Sequence, residues 1–198
     1  CFFNKLHIVL VSFKLRHICV FSIKKLMESK GNIVFLGMMG SGKTTIGKLF
    51  SKKQNLNFFD TDEQIEKNTG MKISKIFEKK GEKYFRELEE KTALNLLKKK
   101  GIALALGGGA FMNKSIRKEV LENHISFWLN LNDKIIIERI KDSVKRPMVT
   151  NSTKEELLDL FKKRSNIYSK ALYKIDCDNL TKSEIVNKII KIYEDNKS

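Results

Sequence analysis

An α/β fold, a parallel sheet with helices on both faces, is what the sequence predicts, and three observations predict it. Short apolar runs of strand length alternate along the chain with longer stretches of helical period. Those runs are continuously apolar rather than alternating, which is the pattern of strands buried on both faces. The glycine-rich loop GMMGSGKTT, residues 37–45, lies directly between the first such run and the first helical stretch. At 198 residues the chain suits one domain with a single core.

In chain order, strands are expected at NIVFLG (32–37), NFFD (57–60), IALALG (102–107), ISFWLNL (125–131) and, more weakly, LYKID (172–176). Each is an apolar run too short for a buried helix. Between and after them, helical spacing of apolar residues marks 43–54, 81–100, 113–122, 132–142, 153–170 and 181–195. The single proline, Pro147, breaks an apolar-poor region at 141–152 that reads as a surface loop. No repeat or interdomain linker is visible.

Residues 1–26 differ in kind. They hold no acid and five basic residues, Lys5, Lys14, Arg16, Lys24 and Lys25. Lys14 and Arg16 interrupt the apolar stretch, and a membrane-spanning helix needs about 20 mostly apolar residues. Residues 1–27 are therefore set apart as a basic N-terminal extension, with a leader, a transit peptide or read-through upstream of Met27 as the readings; the domain proper is 28–198.

The formal charge of +16 raises the question of a nucleic-acid partner. The lysines are spread through nearly every segment and interleaved with acids, with only short runs such as KKK at 98–100. That distribution describes solvated helix faces, so neither a nucleic-acid nor a membrane partner is expected. Cys1, Cys19 and Cys177 have no metal or redox spacing and suit reduced thiols in the cytoplasm. His7 and His17 lie in the extension and His124 at a helix-to-strand turn, so the chemistry must run without a histidine base.

Gly37, Gly42, Lys43 and Thr44 match GxxxxGK(S/T) in the strand-loop-helix setting that gives the pattern a mechanism. Its glycines turn backbone N–H groups around phosphate oxygens, and the following helix adds its dipole. Lys43 is placed to reach the β and γ phosphates of ATP, and the Thr44 hydroxyl to hold Mg²⁺. Gly40, Ser41 and Thr45 complete the nucleotide-binding set, although Thr45 also suits packing in the first helical turn. A guanine-specific switch needs a base reader ending in Asp, and NKSI at 113 and NKII at 187 lack it.

A second carboxylate for the metal is available in FFDTDEQIE, where Asp60 and Asp62 leave the second strand at its carboxyl end, beside the loop. In an extended chain both side chains face one way, Asp60 toward the metal and Asp62 toward an acceptor hydroxyl. The competing reading has Asp62 cap a following helix. Gly107, Gly108 and Gly109 end the third strand, and three glycines in a row exceed what a tight turn requires; close approach of a ligand or backbone explains them.

GMMGSGKTT, FFDTDEQIE, IFEKKGEKYFRELE, LALGGGA, KRPM and KKRSNIYSK stand in the order and approximate spacing of shikimate kinases, and the resemblance covers about residues 31–195. It implies a P-loop kinase with three α/β/α layers and a mainly five-stranded parallel sheet. It implies that Asp62 holds the diol of shikimate, that Arg86 and Arg164 grip its carboxylate, and that Gly108 and Gly109 offer N–H groups to the same ligand. It likewise makes Asp60 the magnesium-side carboxylate, Arg146 a lid arginine on the transferring phosphoryl group, and Arg139 a neighbour of adenine. Phe77, Phe85 and Glu89 line or brace the acceptor pocket in the same scheme, and a monomer using ATP and Mg²⁺ is expected. Taken alone, Arg86 could instead pair with Glu89 and Glu90 at helical spacing. VTNSTKEE after KRPM and DCDNLTKSE near the end depart from the pattern, leaving Asp178 and Asn179 as candidates for base contacts. Gluconate and nucleoside monophosphate kinases are the rival readings on the same scaffold.

Overall fold

The apolar runs become the strands of one sheet in the computed structural model, which describes residues 31–141 and 153–195. Strands β1 (Ile33–Leu36), β2 (Asn57–Asp60), β3 (Ile102–Ala105), β4 (Ile125–Asn130) and β5 (Tyr173–Asp176) lie in the order β2-β3-β1-β4-β5. All neighbours are parallel. The central strands β1 and β3 are buried at every position, as continuous apolar runs require. At the edge, β5 alternates, with only Ile175 buried.

Helices α1 (Lys43–Gln54), α2 (Thr61–Thr69), α3 (Ile73–Leu97), α4 (Lys114–Asn123), α5 (Asp133–Lys141), α6 (Lys154–Tyr168) and α7 (Lys182–Asp195) connect and cover the strands. Their starts are chemically distinct. Asn113 caps α4 by accepting from the Ser115 and Ile116 N–H groups, and Thr153 and Glu156 form a reciprocal capping box on α6. The first turn of α1 has neither an acid nor a side-chain cap; it begins at Gly42, in a left-handed conformation at φ 92°. Such a helix end leaves its N–H groups for an anion.

Two expectations need correction. The nine-residue α2 was foreseen only in the competing reading and is capped by Asp60 rather than Asp62, and α3 begins at Ile73 rather than 81. Gly81 does break the helical path, at φ 80° and ψ 172°, but the chain resumes the helix at once, so one long element with a kink runs through it. The extension, Pro147 and Arg146 lie outside the described residues.

The main core fills both faces of the sheet, with Phe35, Phe50, Phe127 and Phe161 among its fully buried members. A second, small core of Ile65, Ile76 and Phe85 joins α2 to α3, with Phe77 packed on Phe85 at 4.7 Å between ring centroids. Among the described residues no helix is long and apolar enough to cross a membrane.

Candidate functional site

The loop after β1 is set by its backbone. Gly37, Gly40 and Gly42 all have positive φ, and a Cβ on Gly37 would stand 2.7 Å from the Leu129 carbonyl of β4. Lys43, buried at the start of α1, donates from Nζ to the Gly37 and Met38 carbonyls at 2.8 Å each. Ser41 is buried, whereas Thr45 is exposed, so Thr45 does not pack in the first turn. From α5, Arg139 Nη1 reaches the Gly40 carbonyl at 3.0 Å and ties a residue 99 positions away to the loop.

At the end of β2, Asp60 accepts the Thr44 hydroxyl at 2.6 Å through Oδ2. Its Oδ1 accepts the Asp62 N–H at 2.9 Å, making Asp60, not Asp62, the N-cap of α2. The chain turns helical at Thr61, so the two carboxylates diverge by a helix start rather than sharing an extended face. Asp62 points instead at the glycine turn: a Cβ on Gly107 would lie 2.6 Å from Asp62 Oδ1 and 2.8 Å from Glu89 Oε1.

Close approach explains the whole triple. None of Gly107, Gly108 and Gly109 has a positive φ. A Cβ on Gly109 would meet Arg86 Nη1 at 2.5 Å, and one on Gly108 would meet the Met39 nitrogen at 3.2 Å and Arg164 Nη1 at 3.7 Å. Gly107 and Gly109 make room for three charged side chains from α2 and α3, and Gly108 for the Met39 backbone.

Arg86 does form an ion pair on its own helix, but with Glu89 at 2.7 Å and Glu82 at 3.0 Å, not with Glu90. Burial by itself would lower the Arg86 pKa, yet the two carboxylates outweigh it and hold the guanidinium above its ordinary value. For Glu89, which is 3% exposed, burial wins: it pushes the carboxyl up despite the opposing Arg86 charge, and Asp62 adds to the rise. Arg164 is 5% exposed. It stands on a buried stripe of α6 with Leu157, Phe161 and Tyr168, spaced four, three and four residues.

These groups open onto one cavity of about 250 Å³. Thr44 and Asp60 line it on the loop side; Arg86, Glu89, Gly108, Gly109 and Arg164 line the far side, with Asp62, Phe77 and Phe85 between. So every predicted acceptor residue is brought to one space, next to the nucleotide loop. A larger cavity of about 640 Å³ lies between α2 and α3 over Phe59, Ile65 and Leu96. It holds none of these residues, and its carboxamides Gln64 and Asn68 bond each other at 2.7 Å. Chemistry, not size, picks the site.

Sequence reasoning did not single out Thr61, Glu66 or Tyr168. The buried Thr61 hydroxyl accepts the Gly107 N–H at 2.7 Å. Glu66 accepts the Ile73 N–H at 3.0 Å and pairs with Lys72, joining the end of α2 to the start of α3. Near the candidate base side, Asp178 accepts the Asn132 N–H at 2.9 Å, and Cys177 is buried with its thiol pushed up to about 11 by burial.

Comparison with known proteins bears on what this cavity takes. The shikimate kinase family model matches residues 39–194. A shikimate kinase of Thermodesulfovibrio yellowstonii is 42% identical over 164 residues, 82% of this chain and 95% of that protein. One from Bacillus subtilis is 40% identical over 162 residues, covering 81% and 87%. Among solved structures, a shikimate kinase from Acinetobacter baumannii in complex with shikimate superposes with a TM-score of 0.81 at 32% identity, covering 88% of this chain and 98% of that one.

Proposed function

The chain belongs to the shikimate kinase family, and on that premise we propose that it transfers the γ-phosphoryl group of ATP to a ring hydroxyl of shikimate, yielding shikimate 3-phosphate and ADP on the route to chorismate and the aromatic amino acids. One observation carries the reading to the level of residues: the Arg86 and Arg164 guanidinium groups, the Asp62 carboxylate and a glycine turn share one cavity with the phosphate loop. Its volume of about 250 Å³ falls below the roughly 300–1,000 Å³ of sites for drug-sized ligands, which suits a small acceptor better than a nucleotide.

In this reading Arg86 and Arg164 fork the acceptor carboxylate, each charged hydrogen bond contributing about 1.5–3 kcal/mol. Lysine at either place would lose the planar fork. The Gly108 and Gly109 N–H groups hold the acceptor against the turn. Asp62 accepts a hydrogen bond from the attacking hydroxyl and receives its proton as the new oxygen–phosphorus bond forms and the bond to ADP breaks. Lys43 lies over the terminal phosphates, and Arg146, outside the described residues, completes the charge on the transferring group.

The Thr44 hydroxyl and Asp60 carboxylate, 2.6 Å apart, are hard oxygen donors of the kind Mg²⁺ takes in small number beside substrate phosphates. Among the described residues no three His, Cys, Asp or Glu gather as a protein-only metal site, and Mg²⁺ held with ATP needs none. Bound there, the ion neutralises phosphate charge. We place the enzyme in the cytoplasm, acting on small molecules as a monomer.

The test is ADP release measured across shikimate, gluconate and nucleoside monophosphates. Release with shikimate alone is expected. Release driven by one of the other acceptors, with shikimate silent, would replace the reading by a rival kinase, and tight salt-sensitive RNA binding without turnover would remove catalysis altogether.

A further inference from the structure

We propose that Tyr168 is a positioning residue for the acceptor: its hydroxyl fixes the Gly108–Gly109 peptide so that the Gly109 N–H faces the cavity. The Tyr168 hydroxyl donates to the Gly108 carbonyl. Its ring is 1% exposed and wedged between Phe111, stacked at 6.4 Å, and Trp128 at 6.1 Å. A buried aromatic so held has little freedom to shift, so its hydroxyl is a fixed point.

A trans peptide unit is planar, and its N–H runs antiparallel to its C=O. Tyr168 does not line the cavity, whereas Gly108 and Gly109 do. The Gly108 carbonyl is therefore turned into the core, and the Gly109 N–H is aimed the other way, at the acceptor. The rest of the turn is engaged as well: Thr61 takes the Gly107 N–H, and the Gly107 and Gly109 carbonyls accept from Ala110 and Met112 at 3.0 Å each. Among the described residues, the Gly108 and Gly109 N–H groups are the ones the turn keeps for a ligand. Tyr168 sits one helical turn after Arg164 on the same buried face of α6. One rigid stripe thus sets both an arginine of the carboxylate fork and the amide wall beside it.

The inference rests on the acceptor reading of Gly108 and Gly109 given above. Tyr168→Phe keeps the ring and removes the hydroxyl that donates to the Gly108 carbonyl. Expected is a rise of about tenfold in KM for shikimate with KM for ATP unchanged, the factor that about 1.4 kcal/mol corresponds to. A merely structural role would lower the melting temperature and leave both KM values alone, and that result overturns the proposal. A second measurement needs no variant: with glycines labelled with nitrogen-15 in the intact protein, saturating shikimate should move the Gly109 amide resonance and slow its exchange with solvent. An unmoved Gly109 amide in an enzyme that phosphorylates shikimate sinks the inference and spares the function. An unaltered protein that does not consume ATP with shikimate sinks both.

Discussion

The phosphate side of the site takes most of its groups from one stretch, residues 37–45, joined by Asp60 and Arg139, and offers mainly backbone N–H groups and one lysine. The acceptor side gathers Asp62, Arg86, Gly108, Gly109 and Arg164 from separate segments and offers mainly side chains. The first is local geometry: positive φ at three glycines and an uncapped helix start. The second exists only once α2, α3, α6 and the β3 turn have packed. Part of its wall rests on the small core of Ile65, Ile76 and Phe85, where each fully buried side chain contributes about 1.5–3 kcal/mol. Damage to the loop should therefore reach the chemical step, and damage to the packing should reach acceptor affinity first.

The largest effect expected is on the loop side. Lys43→Ala should lower kcat by about 10²–10³, the scale of losing one preorganised charge or donor at a transition state, with shikimate affinity nearly intact. Arg146→Ala belongs with it, and normal turnover in either variant would remove that residue from the mechanism. Next comes Arg164→Ala, which should weaken shikimate binding by roughly 10- to 150-fold, the equivalent of about 1.5–3 kcal/mol, while KM for ATP holds. Titration calorimetry with each ligand would expose a failure of that separation.

Smaller again is Gly109→Ala. Its new methyl would meet the end of Arg86 rather than backbone, so the guanidinium can give way, and a loss of about tenfold in shikimate affinity without unfolding is expected. Equal affinity would mean that Arg86 does not need its present place. The smallest effect should come from a residue remote from both sides. His124 is buried, its Nδ1 accepts the Asn32 N–H at 3.1 Å, and burial lowers its pKa from 6.5. A depressed folded pKa gives stability that is present above about 6.5 and lost as pH falls through the lower folded value, at most about 1.4 kcal/mol per pH unit. Glu89, raised from 4.5 by burial, acts oppositely: its contribution is present below 4.5 and is lost as pH rises through its folded value. Denaturant unfolding of His124→Gln and the parent from pH 7 to 5 isolates the histidine, since Glu89 is common to both. A parallel fall in the two proteins would show that His124 carries no proton linkage.

How much was legible in the sequence follows the same divide. Strands and the phosphate loop were plain because a buried parallel strand and a strand-glycine-helix junction are contiguous signals. Helix α2 stood only as the competing reading because its nine residues bury only Thr61 and Ile65, too few for a period. The start of α3 was missed because Gly81 reads as an end, and it is a local break that the fold bridges. Of the acceptor residues, Asp62 and the glycine triple were read from pattern, whereas Arg86, Glu89 and Arg164 came from resemblance to a family. Yet a signal was available: Glu89 lies on a stripe with Phe85, Thr92 and Leu96, and Arg164 on one with Leu157, Phe161 and Tyr168. A charge in the middle of an apolar helix face is costly unless something pairs with it. That rule singles out both residues, and with them the tyrosine one turn on. The divergence of Asp60 from Asp62 could not be read the same way, since the spacing of two fits an extended chain and a helix cap alike.

The glycine triple has one more implication. None of its three members takes the left-handed torsions that demand glycine, so what bars larger residues is the neighbouring charged groups at 107 and 109 and the Met39 backbone at 108. Such a boundary can be redrawn by paired exchange, with a shorter residue at 86 admitting a methyl at 109. The acceptor preference of this scaffold is thereby open to directed redesign without disturbing the nucleotide cradle.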